Sequence, residues 1–125
     1  MKTIESVKLE KKLSAPKSVT TKVELNYSRD PATACTVPAG TKLDVYFSET
    51  NLGRVYFDYA GSLRALSIVS AHKYVTGFTK APSFATLERW SNDGYCKTPT
   101  CTHKTEPDGY GMDGSPSWLL VMGMI

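Results

Sequence analysis

Two segments of the chain, residues 42–47 and 54–59, alternate apolar and polar side chains with a period of two. The apolar members are Leu43, Val45 and Phe47 in the first segment and Val55, Phe57 and Tyr59 in the second. Because a β-strand points successive side chains to opposite faces, this pattern predicts two strands, each with one buried face. Residues 48–53 between them are rich in turn formers, so we expect an antiparallel hairpin.

The register of this hairpin is predicted from the charges that would meet across it. Residues directly opposite each other share a face of the sheet, which leaves two plausible registers. One of them places Lys42 opposite Asp58 as an ion pair, and it also places Tyr46 opposite Arg54. The other places Asp44 opposite Asp58 and brings two like charges together. We therefore predict the first register.

Further short apolar runs flank the hairpin. Residues 19–27 alternate in the same way, and Leu66 with Ile68 begins a third strand after a short turn. Several short antiparallel strands with one apolar face imply a small sheet that curls or is covered. The predicted fold is α+β and mostly β: an SH3-like or OB-like curled antiparallel sheet with one short helix and a C-terminal strand. Residues 19–125 would form this single domain, after a flexible basic arm or an edge strand at residues 1–18.

The composition is that of an ordinary globular protein. The chain of 125 residues, with 41% hydrophobic and 22% charged residues, suffices for one domain with its own core. The longest apolar run, residues 118–125, is far shorter than the roughly 20 residues that cross a bilayer as a helix. This run instead predicts a buried strand or packed tail whose removal destabilises the fold. The N-terminus lacks the apolar core of a signal peptide, so we expect a cytoplasmic protein without membrane association.

A short helix is expected between Ser83 and Gly94. Ser83 is a suitable N-cap, and Gly94 stands where a left-handed residue commonly ends a helix. Phe84, Leu87 and Trp90 form an apolar stripe between them. The simplest interpretation is that this stripe packs onto the sheet.

The same helix has a second interpretation. Residues 86–90, Thr-Leu-Glu-Arg-Trp, stand before a glycine and resemble the helix of excisionase and MerR-type winged helices. In that family the helix enters the major groove of DNA and a basic wing follows it. The resemblance spans residues 82–94 and implies that Arg89 and the following Lys97 contact DNA.

Parts of the C-terminal half resemble small uncharacterised proteins of bacteriophages and other mobile elements. The segments concerned are residues 71–78, 106–109 and 115–120. The resemblance implies a protein that acts in a bacterial host. Such proteins often work by binding nucleic acid or a host protein, including as inhibitors.

The cysteines and acidic loops give weak signals for a metal site. Three cysteines, an odd number, favour thiols in a reducing compartment over a disulfide scaffold. The best zinc candidate is Cys96, Cys101 and His103, with distant Cys35 as a fourth ligand. Structural zinc sites usually contain two pairs of ligands that are close together in sequence, and this chain has one such cluster. The loop at residues 106–114 lacks the alternating ligands of a calcium loop. Thiols and glycine-rich turns are the favoured interpretation.

Catalytic motifs are absent from the sequence. His72 and His103 are the only histidines, and neither lies in a motif that joins a nucleophile to a base. The glycine motifs of nucleotide-binding enzymes are also missing. The sequence therefore predicts a non-enzymatic protein that needs no cofactor.

Cationic and aromatic side chains share the predicted polar face of the sheet, and we term them the polar strip. They are Lys42, Tyr46, Arg54, Tyr56 and Arg64. Aromatic rings stack on bases and cations neutralise phosphates, so the polar strip predicts a surface that binds nucleic acid. Asp44 and Asp58 on the same face favour the alternative, an ordinary solvated surface. The net charge of +3 permits nucleic acid as a partner without requiring it.

Two other functions compete with nucleic-acid binding. The long irregular loop at residues 96–114, together with exposed strand edges, would suit an adaptor or inhibitor that binds a host protein. A small metal-binding protein or hydrolase is the third alternative.

Overall fold

The computed structural model describes residues 3–124, apart from the side chains of residues 101–103. The helices are α1 (Ile4–Val7), α2 (Ile68–Tyr74), α3 (Phe84–Asp93) and α4 (Trp118–Val121). The strands are β1 (Lys17–Thr20), β2 (Leu25–Tyr27), β3 (Cys35–Val37), β4 (Lys42–Phe47), β5 (Arg54–Tyr59), β6 (Ser62–Ser67), β7 (Cys96–Thr98) and β8 (Cys101–Thr105). The chain is α+β and mostly β, as the sequence predicts.

The central element is a four-stranded antiparallel sheet in the order β1-β4-β5-β6. Strands β4, β5 and β6 follow one another along the chain and form a meander, and β1 pairs with the outer side of β4. Two antiparallel hairpins, β2–β3 and β7–β8, are separate from this sheet. The central sheet is open, with β1 and β6 at its two edges.

One face of the central sheet carries the hydrophobic core. The alternation along β4 and β5 buries Val45, Phe47, Val55 and Phe57, none of which is more than 2% exposed. The other elements contribute further core residues: Leu25, Val37, Ile68, Ala71, Leu87, Trp90, Trp118 and Leu119. The period-two pattern therefore predicted both strands and their buried face correctly.

The register of the β4–β5 hairpin differs from the predicted one. Tyr46 lies opposite Tyr56, not opposite Arg54. The prediction was wrong because it weighed only charges within the hairpin. Asp58 finds a partner outside the hairpin, since its Oδ1 accepts a hydrogen bond from the backbone N–H of Ile4 at 2.8 Å. Its charge is therefore stabilised without a facing lysine on β4.

The N-terminal segment lies against the second face of the central sheet. Ile4 and Val7 on α1 are 7% and 2% exposed. Lys11 follows α1, and its Nζ lies 4.9 Å from the ring centroid of Tyr56. Residues 1–18 were expected to form a flexible arm or an edge strand. The structure places an edge strand, β1, at the end of this segment, and the described residues before it cover the sheet.

Two apolar segments that the sequence assigned to strands are helical. Ile68, expected to continue the third strand, begins α2 directly after β6. The C-terminal segment forms α4, in which Ser117 Oγ accepts a hydrogen bond from the backbone N–H of Leu120 at 3.2 Å. The predicted C-terminal strand is wrong, because a serine N-cap starts a helix there. The predicted burial is correct, since Trp118 and Leu119 lie in the core.

Helix α3 forms between the two predicted caps. Ser83 Oγ accepts a hydrogen bond from a first-turn backbone N–H at 3.3 Å, and Gly94 has a φ of 77°. Leu87 and Trp90 are buried as expected, whereas Phe84 in the first turn is largely exposed. The predicted apolar stripe is therefore shorter than expected, and only its later turns contact the core.

Candidate functional site

The polar strip predicted from the sequence is only partly open to solvent. Lys42 and Arg54 are exposed, and Tyr46 is half-buried on the face that the N-terminal segment covers. Tyr56 is buried on the same face, with Lys11 above its ring. Because Lys11 occupies the space over the ring, Tyr56 offers no stacking surface in this arrangement.

Arg64 lies on the opposite face from the rest of the polar strip. It pairs with Phe57 in the β5–β6 register, which turns it to the core side, and it is 7% exposed. Its Nε donates to the carbonyl oxygen of Tyr59 at 3.2 Å, and its Nη1 donates to that of Thr33 at 2.5 Å. The guanidinium carbon lies 5.7 Å from the ring centroid of Tyr27, within cation–π range.

Among the described side chains, no carboxylate forms an ion pair with Arg64. Within the part of the chain that the structure describes, its guanidinium forms no ion pair and its Nη2 has no hydrogen-bond acceptor. Taking a guanidinium out of water costs several kcal/mol, which the two carbonyl hydrogen bonds and the Tyr27 ring offset. Arg64 is therefore a buried cation with spare hydrogen-bond donors.

Arg64 shares a cavity at the edge of the central sheet with two exposed arginines. Arg29, Arg54 and Arg64 line a cavity of about 640 Å³ between β6 and the segment that follows β2, and we term it the arginine pocket. Its wall also contains Asp30, whose Oδ1 accepts a hydrogen bond from the backbone N–H of Ala32 at 3.0 Å. Three guanidinium groups against one carboxylate leave the pocket with an excess of positive charge.

Tyr27 closes one side of the arginine pocket. Its Oη donates to the carbonyl oxygen of Ala65 on β6 at 3.0 Å. Burial raises the pKa of Tyr27 to about 12; Cys35 adds to this rise and Arg64 opposes it. The phenol therefore stays protonated at neutral pH and keeps its hydrogen bond to Ala65.

A second cavity continues from the arginine pocket along β6. Both cavities are lined by Asn26, Tyr27 and Ala65, so they adjoin where Tyr27 is hydrogen-bonded to Ala65, and we term the two adjoining cavities the β6 groove. The far end is lined by Glu24, Ser67, Ser70 and Tyr74, among others. The β6 groove therefore has guanidinium groups at one end and hydroxyl, carboxylate and aromatic groups at the other.

The two cations implied by the winged-helix resemblance lie away from this groove. Arg89 is exposed on α3, and Lys97 is half-buried on β7. Glu88 and Asp93 line the same shallow depression on α3 as Arg89, so the local charge there is mixed. The structure thus brings Arg54 and Arg64 into one site and leaves Arg89 and Lys97 outside it.

Residues 96–114 were expected to form an irregular loop, but residues 96–105 form the β7–β8 hairpin and only the segment at residues 106–114 is irregular. Asp113 ties this segment to its surroundings. Its Oδ1 accepts hydrogen bonds from the N–H and Oγ of Ser115 at 3.1 and 2.6 Å, and its Oδ2 accepts one from Thr100 Oγ1. Lys17 Nζ lies 3.6 Å from Oδ2. Burial opposes ionisation, but these hydrogen bonds and Lys17 outweigh it, so the pKa of Asp113 is lowered. Both oxygens of this carboxylate therefore accept hydrogen bonds from Thr100 and Ser115 and hold this part of the chain together.

The zinc candidates fall partly outside the described structure. The side chains of Cys101 and His103 belong to the part that is not described. Cys96 is buried on β7, and Cys35 is half-buried on β3. Among the side chains that are described, no group of three or more His, Cys, Asp or Glu residues could hold a metal ion. Within the same set, Nδ1 of His72 is buried without a hydrogen-bond partner.

No protein-family model, no curated protein and no solved structure matches this chain. Across residues 3–124, none of the helices has the length and apolar character that crossing a membrane requires.

Proposed function

We propose that this chain is a non-enzymatic module that binds single-stranded nucleic acid in the β6 groove. The proposal depends on Arg64, a buried cation that lacks a carboxylate partner among the described residues and lies beside Arg29 and Arg54. Arginine binds phosphate oxygens through paired, charge-assisted hydrogen bonds. The excess positive charge of the arginine pocket therefore favours a ligand that carries phosphate.

The depth of Arg64 favours a flexible strand over a duplex. A duplex holds its phosphates on a regular outer backbone, whereas a single strand can bend a phosphate into a recess. Asn26 lines both cavities of the β6 groove, and the second cavity adds the ring of Tyr74 beside the carboxylate of Glu24. A cationic groove beside an aromatic ring is typical of sites that bind single strands.

The proposed site wraps around the edge of β6. Arg54 comes from the face that also carries Tyr46, and Arg64 comes from the core face. The proposal therefore keeps Arg54 and Arg64 from the polar strip but moves the contact surface from the sheet face to the sheet edge. Lys42 and Tyr46 take no part in it.

A salt series on labelled single-stranded oligonucleotides tests the proposal. Fluorescence anisotropy should show binding that weakens steeply between about 50 and 200 mM salt, because bound phosphates release counterions. Arg29→Ala and Arg54→Ala should each weaken binding and flatten the plot of log affinity against log salt by about 0.7. Both arginines are exposed, so these variants should fold normally.

Arg89→Ala is the matched control, because it removes an exposed arginine outside the groove. It should leave affinity unchanged. A loss of affinity in Arg89→Ala but not in Arg29→Ala or Arg54→Ala would move the site to α3, in line with the winged-helix resemblance. Absence of binding at low salt would exclude the proposed function.

We also propose that the central sheet is an open variant of an SH3-like or OB-like fold. The β4–β5–β6 meander and the covering of both sheet faces support this proposal.

We further propose that the chain acts in a phage or mobile element. The identity of the neighbouring genes would test this proposal.

A second candidate function is binding to a host protein through the β7–β8 hairpin and the loop at residues 106–114 that follows it. Met112 is fully exposed and Tyr110 is 43% exposed on this loop, while Asp113 accepts a hydrogen bond from the backbone N–H of Ser115 just after it. A fixed loop that presents apolar side chains is suited to protein contact. A photo-crosslinker at position 112 should then capture one defined host protein, and Tyr110→Ser should abolish that product. Diffuse crosslinking that Tyr110→Ser leaves unchanged would exclude this candidate.

A further inference from the structure

The arginine pocket points to a more specific ligand, and this inference depends on the proposed function. We infer that the pocket binds the terminal phosphate of a nucleic-acid strand, a phosphomonoester, in preference to a phosphodiester within the strand. The charge of the pocket, its spare donors and the burial of Arg64 each favour the terminal group.

The charge of the pocket matches a phosphomonoester better than a phosphodiester. A phosphomonoester carries about −1.5 to −2 charges at pH 7, whereas a phosphodiester carries one. Arg29, Arg54 and Arg64 line the pocket together with one carboxylate, Asp30, which accepts a hydrogen bond from the N–H of Ala32 in its own turn. A dianion therefore balances the excess positive charge more completely.

The spare hydrogen-bond donors also suit a terminal phosphate. Arg64 uses Nε and one N–H of Nη1 on carbonyl oxygens, which leaves its Nη2 for a ligand. Over residues 3–124, the guanidinium groups of Arg29 and Arg54 enter no ion pair. Ser28 and Thr33, which carry hydroxyl groups, also line the pocket. A phosphomonoester presents three strong acceptor oxygens to such a set of donors.

The recessed position of Arg64 favours the end of a strand. An internal phosphate has chain on both sides, and both segments would have to leave the pocket. A terminal phosphate has chain on one side only, so it can contact the buried Arg64 while the rest of the strand leaves the pocket in a single direction.

The experiment compares one oligonucleotide sequence with three kinds of end: a 5′-phosphate, a 3′-phosphate, or hydroxyl groups at both ends. Fluorescence anisotropy at constant salt should show about tenfold tighter binding for one phosphorylated form, as expected for an added charge-assisted hydrogen bond. Inorganic phosphate should reduce this advantage more than chloride does at matched ionic strength. Comparing the 5′-phosphorylated with the 3′-phosphorylated oligonucleotide also shows which end of the strand enters the pocket.

The pocket variants then locate the effect. Arg29→Ala and Arg54→Ala should bring the phosphorylated and unphosphorylated oligonucleotides close to equal affinity, whereas Arg89→Ala should keep the tenfold difference. Equal binding of all three oligonucleotides, with the salt dependence intact, would overturn the terminal-phosphate inference and leave the proposed function standing. A preference that survives both pocket variants would also overturn it. Absence of binding by every oligonucleotide would exclude the proposed function and this inference together.

Discussion

Arg64 and Tyr27 connect the β2–β3 hairpin to the edge of the central sheet through two hydrogen bonds, one donated from each side. We term this pair of hydrogen bonds the clasp. Arg64, on β6, donates to the carbonyl oxygen of Thr33 beyond β2, and Tyr27, on β2, donates to the carbonyl oxygen of Ala65 on β6. The guanidinium carbon of Arg64 lies 5.7 Å from the centroid of the Tyr27 ring. The same two residues thus connect two parts of the fold and place a cation in the β6 groove.

Replacing Arg64 by lysine should weaken this clasp while keeping the charge. The guanidinium bonds the carbonyls of Tyr59 and Thr33 through two different nitrogens, and a single ammonium group cannot reproduce that geometry. We expect Arg64→Lys to lose about 1–3 kcal/mol of unfolding free energy, measured by chemical denaturation. Arg89→Lys, at an exposed arginine, should stay within about 0.5 kcal/mol of the unchanged protein. Equal stability of the two variants would argue against the clasp.

The strands β4 and β5 were easier to predict from sequence than their register or the helix α2 that follows β6. Alternation along residues 42–47 and 54–59 is a local signal, and it also determines which face is buried. The register was not local, because the partner of Asp58 is the backbone of Ile4 in another segment. Helix α2 was not predicted, although Ile68, Ala71 and Val75 have helical spacing. A short apolar run after a strand is typical both of a continuing strand and of a buried helix.

Only part of the candidate site could be predicted from the sequence. Arg54 and Arg64 were identified as cations on sheet strands, but one face was assumed for both. In the structure the odd-numbered residues of β5 share the core face with the even-numbered residues of β6, so Phe57 faces Arg64. Arg29 was missed because it lies in a turn that only the packing of the β2–β3 hairpin brings to β6. Such a site depends on tertiary contacts that no periodicity shows.

The N-terminal segment should contribute to stability through its buried side chains. Ile4 is 7% exposed, so Ile4→Ala should lower the unfolding free energy by about 2 kcal/mol, near the lower end for such core truncations because α1 is short. Leu9→Ala is the matched control, since Leu9 is 93% exposed and should change stability by less than about 0.5 kcal/mol. If both variants matched the unchanged protein, α1 would not be docked on the sheet in solution.

Asp113 should make the stability of the protein depend on acidic pH. Because its pKa is lowered by folding, the ionised carboxylate stabilises the protein above its unfolded-state pKa of about 3.8, and this contribution is lost as the pH falls through the lower folded-state value. Asp113→Asn should therefore be less stable than the unchanged protein at pH 7, and the difference should shrink below about pH 4. Thermal melts from pH 7 to pH 3 measure it, with Asp108→Asn as a control at an exposed carboxylate in the same loop. A difference that stays constant over this range would contradict the role of the charge.

The C-terminal helix should be a structural part of the core. Leu119 on α4 is fully buried among the apolar side chains of the core, and Ser117 fixes the start of the helix. We expect Leu119→Ala to cost about 2–5 kcal/mol of unfolding free energy, because it removes buried methyl groups and leaves a cavity. Met122→Ala, at a residue that is 40% exposed just after α4, should cost clearly less in the same denaturation experiment. A similar loss in both variants would mean that α4 contributes through its presence as a helix and not through Leu119 in the core.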